Sequence, residues 1–152
     1  MIKALIGVAA LIASGPGNVA EPSATDEREL RQLASRMDGA WTAADAEANA
    51  ELFATNATAR FAEEPLGAGR DAIRDQFRAF FKDRPPGLRH LTNIERIELI
   101  AANLAMWDAE VRVERRQANG EWAPLTRIRN VTLVVRQLDG WRIQAVRAFP
   151  LR

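Results

Sequence analysis

A single histidine, His90, stands in a chain that has no cysteine and no tyrosine. Histidine is the side chain whose ordinary titration lies nearest neutral pH, so its neutral form can take a proton from a bound carbon acid or from water. Without cysteine there is no thiolate nucleophile, no redox pair and no zinc site built on sulfur, and one histidine cannot make a histidine cluster. Neither a metal nor a cofactor is expected. A second group of candidates is Asn130, Thr132 and Arg147, polar residues set among the apolar alternating runs of the C-terminal half. Gathered on one face, an amide, a hydroxyl and a guanidinium would line a cavity and hold something polar or anionic. The same cluster has a structural reading, in which Arg147 pairs with a helix carboxylate such as Asp38 or Asp45 and fastens helices to a sheet.

The elements that position these groups are helices first and strands afterwards. From Asp26, the residues Leu30, Leu33, Ala34, Met37, Ala40 and Trp41 recur at helical spacing, with Thr25 or Asp26 as cap and Glu29 as a capping-box partner. A shorter helix is expected over 45–54, capped by Asp45 and turning Ala48, Leu52 and Phe53 inward. A strand follows at 57–62, and 63–69 closes it with turn residues. The stretch 69–83 is a third helix carrying Ile73, Phe77, Phe80 and Phe81 on one face, ended by Arg84-Pro85-Pro86-Gly87. Everything after reads as strand, so the fold class is α+β, with helices packed on one face of an antiparallel sheet.

Two turns set the expected register. Asn119-Gly120 and Asp139-Gly140 are preferred centres of two-residue type I′ hairpins. That geometry places Trp107 opposite Thr132 and Thr132 opposite Arg147, with Ala109, Asn130 and Phe149 in the next row. One face then carries Trp107, Ala109, Val111, Val113, Ile128, Val134, Ile143 and Trp141, with Asn130, Thr132 and Arg147 among them. Pro124 marks an expected irregularity. Trp107, and Trp41 at the end of the first helix, are the aromatic candidates for the cavity wall. The opposite face carries Asp108, Glu110, Arg112 and Glu114, then Arg129, Val131, Leu133, Val135, Val146 and Ala148. A charged rim around an apolar patch suggests a subunit interface there, and removes Asp108 as a pocket acid. The facing of His90 depends on the turn at Ala101-Ala102-Asn103. A two-residue turn puts His90, Thr92 and Ile94 on the pocket face; a three-residue turn puts Leu91, Asn93, Glu95 and Ile97 there. The apolar count favours the second, and a bulge between His90 and Ile97 reverses the local facing.

Residues 1–20 read as a secretory signal peptide: Lys3, ten apolar residues from Ala4 to Ala13, then small residues with Gly and Pro, with cleavage ending at Gly17 or Ala20. The alternative is an apolar N-terminal tail. Residues 21–26 would then be a linker and 27–152 one domain, periplasmic or secreted, held by its core without disulfides. The chain has 21 basic and 20 acidic side chains. Removing Lys3 balances them, which argues against a nucleic-acid partner.

Four stretches in order carry a family resemblance over about 27–149: WTAADAEANAELFATNATARF, GAGRDAIRDQFRAFF, RHLTNIERIEL and DGWRIQAVRAFPLR. Together they resemble the SnoaL-like branch of the nuclear transport factor 2-like superfamily. The resemblance implies a curved sheet wrapped by helices into a cone (a cystatin-like fold), a deep pocket, and often a homodimer through the back of the sheet. The family includes ketosteroid isomerases, scytalone dehydratases, polyketide cyclases, epoxide hydrolases and non-catalytic binding domains. Its active members join a carboxylate or histidine base to donors that stabilise an enolate. Here no tyrosine supplies the phenol donor. Glu64-Pro65 resembles the isomerases' acid-proline pair, displaced by three residues, with a solvated acidic turn as the alternative. SgcJ/EcaC-type relatives are labelled oxidoreductases, an activity for which this chain has neither a Gly-x-Gly-x-x-Gly loop nor a cysteine pair.

Two functions follow as expectations. One is a binding domain that holds an unidentified small molecule without chemistry. The other is a cofactor-free isomerase, lyase or cyclase, with His90 or Glu64 as base and Arg147 with Asn130 stabilising an anion.

Overall fold

The computed structural model describes residues 20–151, and the proposed signal peptide at 1–20 lies, but for Ala20, outside them. The order is α1 (Ala24–Thr42), α2 (Ala46–Glu51), β1 (Phe53–Phe61), β2 (Gly67–Ala68), α3 (Arg70–Lys82), β3 (Leu88–Ala101), β4 (Leu104–Arg116), β5 (Trp122–Gln137) and β6 (Gly140–Pro150). The strands form one six-stranded, open sheet in the order β2-β1-β6-β5-β4-β3. Every neighbouring pair is antiparallel except β1 with β6. The fold is the expected α+β class.

Helix α1 begins at Ala24, inside the stretch expected to be linker, because Ser23 rather than Thr25 or Asp26 is its cap. The Asp26 backbone N–H donates to Ser23 Oγ at 3.1 Å, and Ser23 Oγ donates to Asp26 Oδ2 at 2.8 Å. Glu29 instead reaches Arg136 at 3.5 Å. Asp45 caps α2 as expected, its Oδ1 accepting from Ala48 N at 2.9 Å. That helix stops at Glu51, and the chain turns at once into β1, where Phe53 is fully buried. In α3, Ile73 and Phe77 face the core, while Phe80 is 55% exposed.

The apolar face read from the sequence is the core face. Trp107, Ala109, Val111, Val113, Val134, Trp141 and Ile143 are all buried against the helices. Three bulges along the strands decide what joins them, besides a fourth at Ile100, next to the β3–β4 turn. In β3, pairing skips between Ile94 and Arg96, leaving Glu95 as the extra residue. His90, Thr92 and Ile94 therefore share the core face with Ile97 and Leu99, so the two alternatives for this strand are both half right. In β5 the skip falls at Leu125, beside Pro124, where an irregularity was expected.

The third bulge overturns part of the register. The last turn holds Leu138 and Asp139 between paired Gln137 and Gly140, not Asp139-Gly140 at its centre. This slides β6 by two residues and alone would preserve its facing. A bulge at Gln144, between Val134↔Ile143 and Leu133↔Ala145, then inverts everything beyond it. Val146 and Ala148 turn to the core face, and Arg147 and Phe149 to the back. Arg147 lies opposite Val131, not Thr132.

Replacing Ser23 by Ala should lower unfolding free energy by about 1 kcal/mol, since it removes the cap and its reciprocal bond. Urea denaturation followed by tryptophan fluorescence measures this, and an unchanged midpoint would show that the first turn of α1 is held by other contacts.

Candidate functional site

The sheet's concave face and α1 and α3 enclose a cavity of about 680 Å³. Its wall is mostly apolar: Val111, Val113, Ile128, Val146 and Ala148 from the sheet, with Met37, Trp41, Phe77 and Phe80 from the helices. The polar side chains on it are Glu64, Gln76, His90, Thr126 and Asn130, so the described lining contains no lysine or arginine. An anion inside would shed its water without meeting a fixed cation, a penalty of several kcal/mol even after relaxation. A neutral ligand has no such cost.

His90 is 9% exposed and fixed from three sides by the last turns of α1. Its Nδ1 lies 2.7 Å from Asp38 Oδ1, its backbone N–H donates to Thr42 Oγ1 at 3.1 Å, and its ring lies 5.0 Å from that of Trp41. Asp38 also accepts from the Thr92 hydroxyl at 2.6 Å on Oδ1 and from the Thr92 backbone N–H at 2.8 Å on Oδ2. A carboxylate only accepts, so Asp38 selects the tautomer with its proton on Nδ1. That leaves the lone pair on Nε2 as the free ring nitrogen of a side chain that lines the cavity.

Asn130 is 6% exposed and also lines the wall. Its Oδ1 accepts a long bond from Thr132 at 3.4 Å, and no described side chain or backbone group accepts from its Nδ2. In the register, Asn130 sits in the row of Ala109 and Ile94, two strands across and four residues along from His90. At strand spacings of about 4.8 Å and rises of about 3.3 Å, the two backbones are roughly 16 Å apart along the sheet. They stand at separate parts of the wall and do not converge on one atom.

The other expected residues divide. Trp41 lines the cavity. Trp107 and Thr132, 2% and 1% exposed, lie one row beyond Asn130 in the core, and Trp107 Nε1 has no hydrogen-bond partner among the described residues. Glu64 stands exposed at the cavity margin on the β1–β2 loop. That loop begins at Ala62 with φ +53° and is tied down by Gln76 Nε2 donating to Pro65 O at 2.7 Å. Arg147 is outside the site: on the back face it donates to Val146 O at 2.7 Å and to Thr58 Oγ1 at 3.1 Å. It meets neither Asp38 nor Asp45, because the Gln144 bulge turns it from the helices. Asp108 is likewise on the back, opposite Val131.

The residue that sequence reasoning missed is Asp38 in its role beside His90. The signal was available, since Asp38 falls three residues before Trp41 on the inward side of α1, but its partner's facing depended on the Glu95 bulge. Among the described residues no group of three or more His, Cys, Asp or Glu side chains is placed to hold a metal ion.

Replacing Asp38 by Ala should cost about 2–3 kcal/mol, because it strands the Thr92 N–H and hydroxyl and the His90 Nδ1–H in a partly buried setting. Asp38→Asn keeps one acceptor and should cost less. Chemical denaturation of both variants measures the order, and equal small losses would mean that water replaces the carboxylate.

A family model described as SnoaL-like domain matches residues 22–147. No curated protein matches the sequence. Solved structures share the fold at low identity. A nuclear transport factor 2-like protein with a cystatin-like fold from Novosphingobium aromaticivorans is 23% identical, with a TM-score of 0.69 over 84% of this chain and 82% of that one. Aln2 from a Streptomyces species is 20% identical, with a TM-score of 0.76 over 85% and 93%. A Catenulispora acidiphila protein in complex with S-DNPA is 19% identical, with a TM-score of 0.74 over 84% and 95%.

Proposed function

The chain belongs to the SnoaL-like family, and from that premise we propose that it binds a neutral, largely apolar small molecule and catalyses a proton transfer on it without a cofactor. The observation that carries this reading is the His90–Asp38 pair at 2.7 Å on the wall of an apolar cavity. His90 Nε2 takes a proton from a carbon acid, or from a water that attacks the ligand. The imidazolium so formed is stabilised by Asp38, and the proton is returned from Nε2 to the product in an isomerisation or to a leaving group in an elimination. Asn130 anchors the far end through its free Nδ2. A span of roughly 16 Å between the two backbones, less the reach of both side chains, suits a ligand two or three fused rings long.

A binding-only function is the second reading, and one observation favours it. Near His90 the cavity offers Thr126 as a hydroxyl but no tyrosine and no cation to hold a developing anion. Export through the signal peptide and self-association through the back of the sheet complete the proposal. The latter is supported by the half-buried Val131, Leu133, Val135 and Ala145, which no described helix covers. Cross-strand pairs such as Arg127 with Glu110 flank this strip, and the guanidinium beside Glu110 holds that carboxyl below its ordinary range.

A thermal-shift screen with matched fused-ring ketones, phenols and carboxylic acids tests the ligand class. The neutral compounds should stabilise the protein and the acids should not. Asn130→Ala should weaken binding about 5- to 30-fold, as a lost hydrogen bond of 1–2 kcal/mol requires. Arg147→Ala should leave it within about twofold, which is within ordinary surface effects. Exchange of the ligand's α-proton in deuterated water, followed by NMR, then separates the two functions. Loss of exchange by roughly 10²–10⁴-fold in His90→Gln with binding retained supports catalysis. Binding without exchange in the wild type leaves only the binding domain.

A further inference from the structure

The side-chain contacts that fix His90 come from the last turns of α1: Asp38 to the ring, Trp41 against the ring and Thr42 to the backbone. The end of the helix is closed in part by its own backbone: Ala43 N donates to Gly39 O, Ala44 N to Trp41 O and Asp45 N to Ala40 O, with Ala44 at φ +56°. No basic residue lies in the last turn, and Thr42 O accepts none of these bonds.

Arg84 adds two side-chain donors from outside the helix, a second one to Trp41 O and one to Thr42 O. Its Nη1 donates to Trp41 O at 2.5 Å and its Nη2 to Thr42 O at 2.9 Å. Its guanidinium carbon sits 4.5 Å above the Trp41 ring and 5.2 Å above Phe81. The same side chain therefore reinforces the carbonyl end of α1 and bears on the indole that packs against the imidazole. Arg84 is held by its own neighbours: Pro85 and Pro86 follow it with fixed φ, and Gly87 at φ +72° turns the chain into β3, three residues before His90. Arg84 is partly buried, and desolvation lowers its pKa from the ordinary arginine value.

We propose that Arg84 is a positioning residue for His90. By forking onto the Trp41 and Thr42 carbonyls and stacking on Trp41, it locks the last turn of α1, and with it the Asp38–His90 hydrogen bond. Lysine cannot substitute, because a point charge neither forks onto two carbonyls nor stacks as a plane. The inference rests on His90 being the reactive group, yet its test reads the histidine in the unliganded protein. It therefore stands or falls separately from turnover.

The chain's single histidine makes the test direct. Untagged protein labelled with ¹⁵N-histidine gives one Nδ1–H resonance, and exchange of that proton with water reports how firmly Asp38 holds it. In Arg84→Lys and Arg84→Gln the exchange rate should rise about tenfold or more, the equivalent of about 1.4 kcal/mol of lost closure. The Ser23→Ala variant, destabilised at the other end of the same helix, should leave it unchanged, which a general loss of stability would not. Exchange within twofold of wild type in both Arg84 variants would overturn the proposal. Should neither variant fold, the wild type still decides. Separate, slowly exchanging Arg84 Nη–H resonances with cross-peaks to the Trp41 indole are expected, and a freely rotating guanidinium is contrary to it.

Discussion

The open edge of β3 is the constraint on which both fold and site depend. As the last strand of the sheet it presents outward N–H and C=O groups, which are costly if buried unpaired and hazardous if left free. Helix α1 lies along that edge and satisfies it with side chains, not with another strand. Thr42 accepts from His90 N, Asp38 from Thr92 N, and Arg31 donates to Ile94 O at 3.3 Å. Further along, Ala20 O accepts from Leu99 N at 3.1 Å. Residues 31, 38 and 42 are spaced by seven and four, so one stripe of the helix meets alternate residues of one strand edge. The carboxylate that protects the edge at Thr92 is the carboxylate that orients His90. Protecting the sheet and preparing the histidine are thus one contact, and a change to either reaches the other.

Much of this was legible in the sequence. The helical stripes of α1 and α3, the Asp45 cap and the apolar face from Trp107 to Trp141 all follow from periods of 3.6 and 2. What the sequence concealed was where the period breaks. Glu95, Leu125 and Gln144 are ordinary residues in ordinary alternation, and each is an extra residue opposite a paired partner. A bulge leaves no compositional mark unless proline or glycine forces it, which is why the one beside Pro124 was expected and the one at Gln144 was not. That single inversion carried Arg147 out of the cavity and brought Val146 and Ala148 in. Because it replaces a cation by two apolar side chains, it also changes the cavity wall, from one that could neutralise an anion to one that is mostly apolar.

The choice between holding a ligand and transforming it turns on how much work an apolar wall leaves to one base. In water a neutral imidazole is a modest base whose conjugate acid is well solvated. Among apolar side chains such as Val111, Val113 and Phe77 little of that solvation is at hand, so a charge formed there needs a partner. Asp38 is placed as that partner: its carboxylate lies 2.7 Å from His90 Nδ1, and two Thr92 bonds hold it there. Nothing comparable among the described residues is provided for a ligand oxyanion beside Nε2. The site is therefore prepared for the cationic half of a charge separation and not for the anionic half. The reactions it suits are those whose ligand spreads its own negative charge, over a conjugated ring system or onto a departing group. The volume of about 680 Å³ and the mostly apolar lining are consistent with the proposed ligand being such a conjugated body.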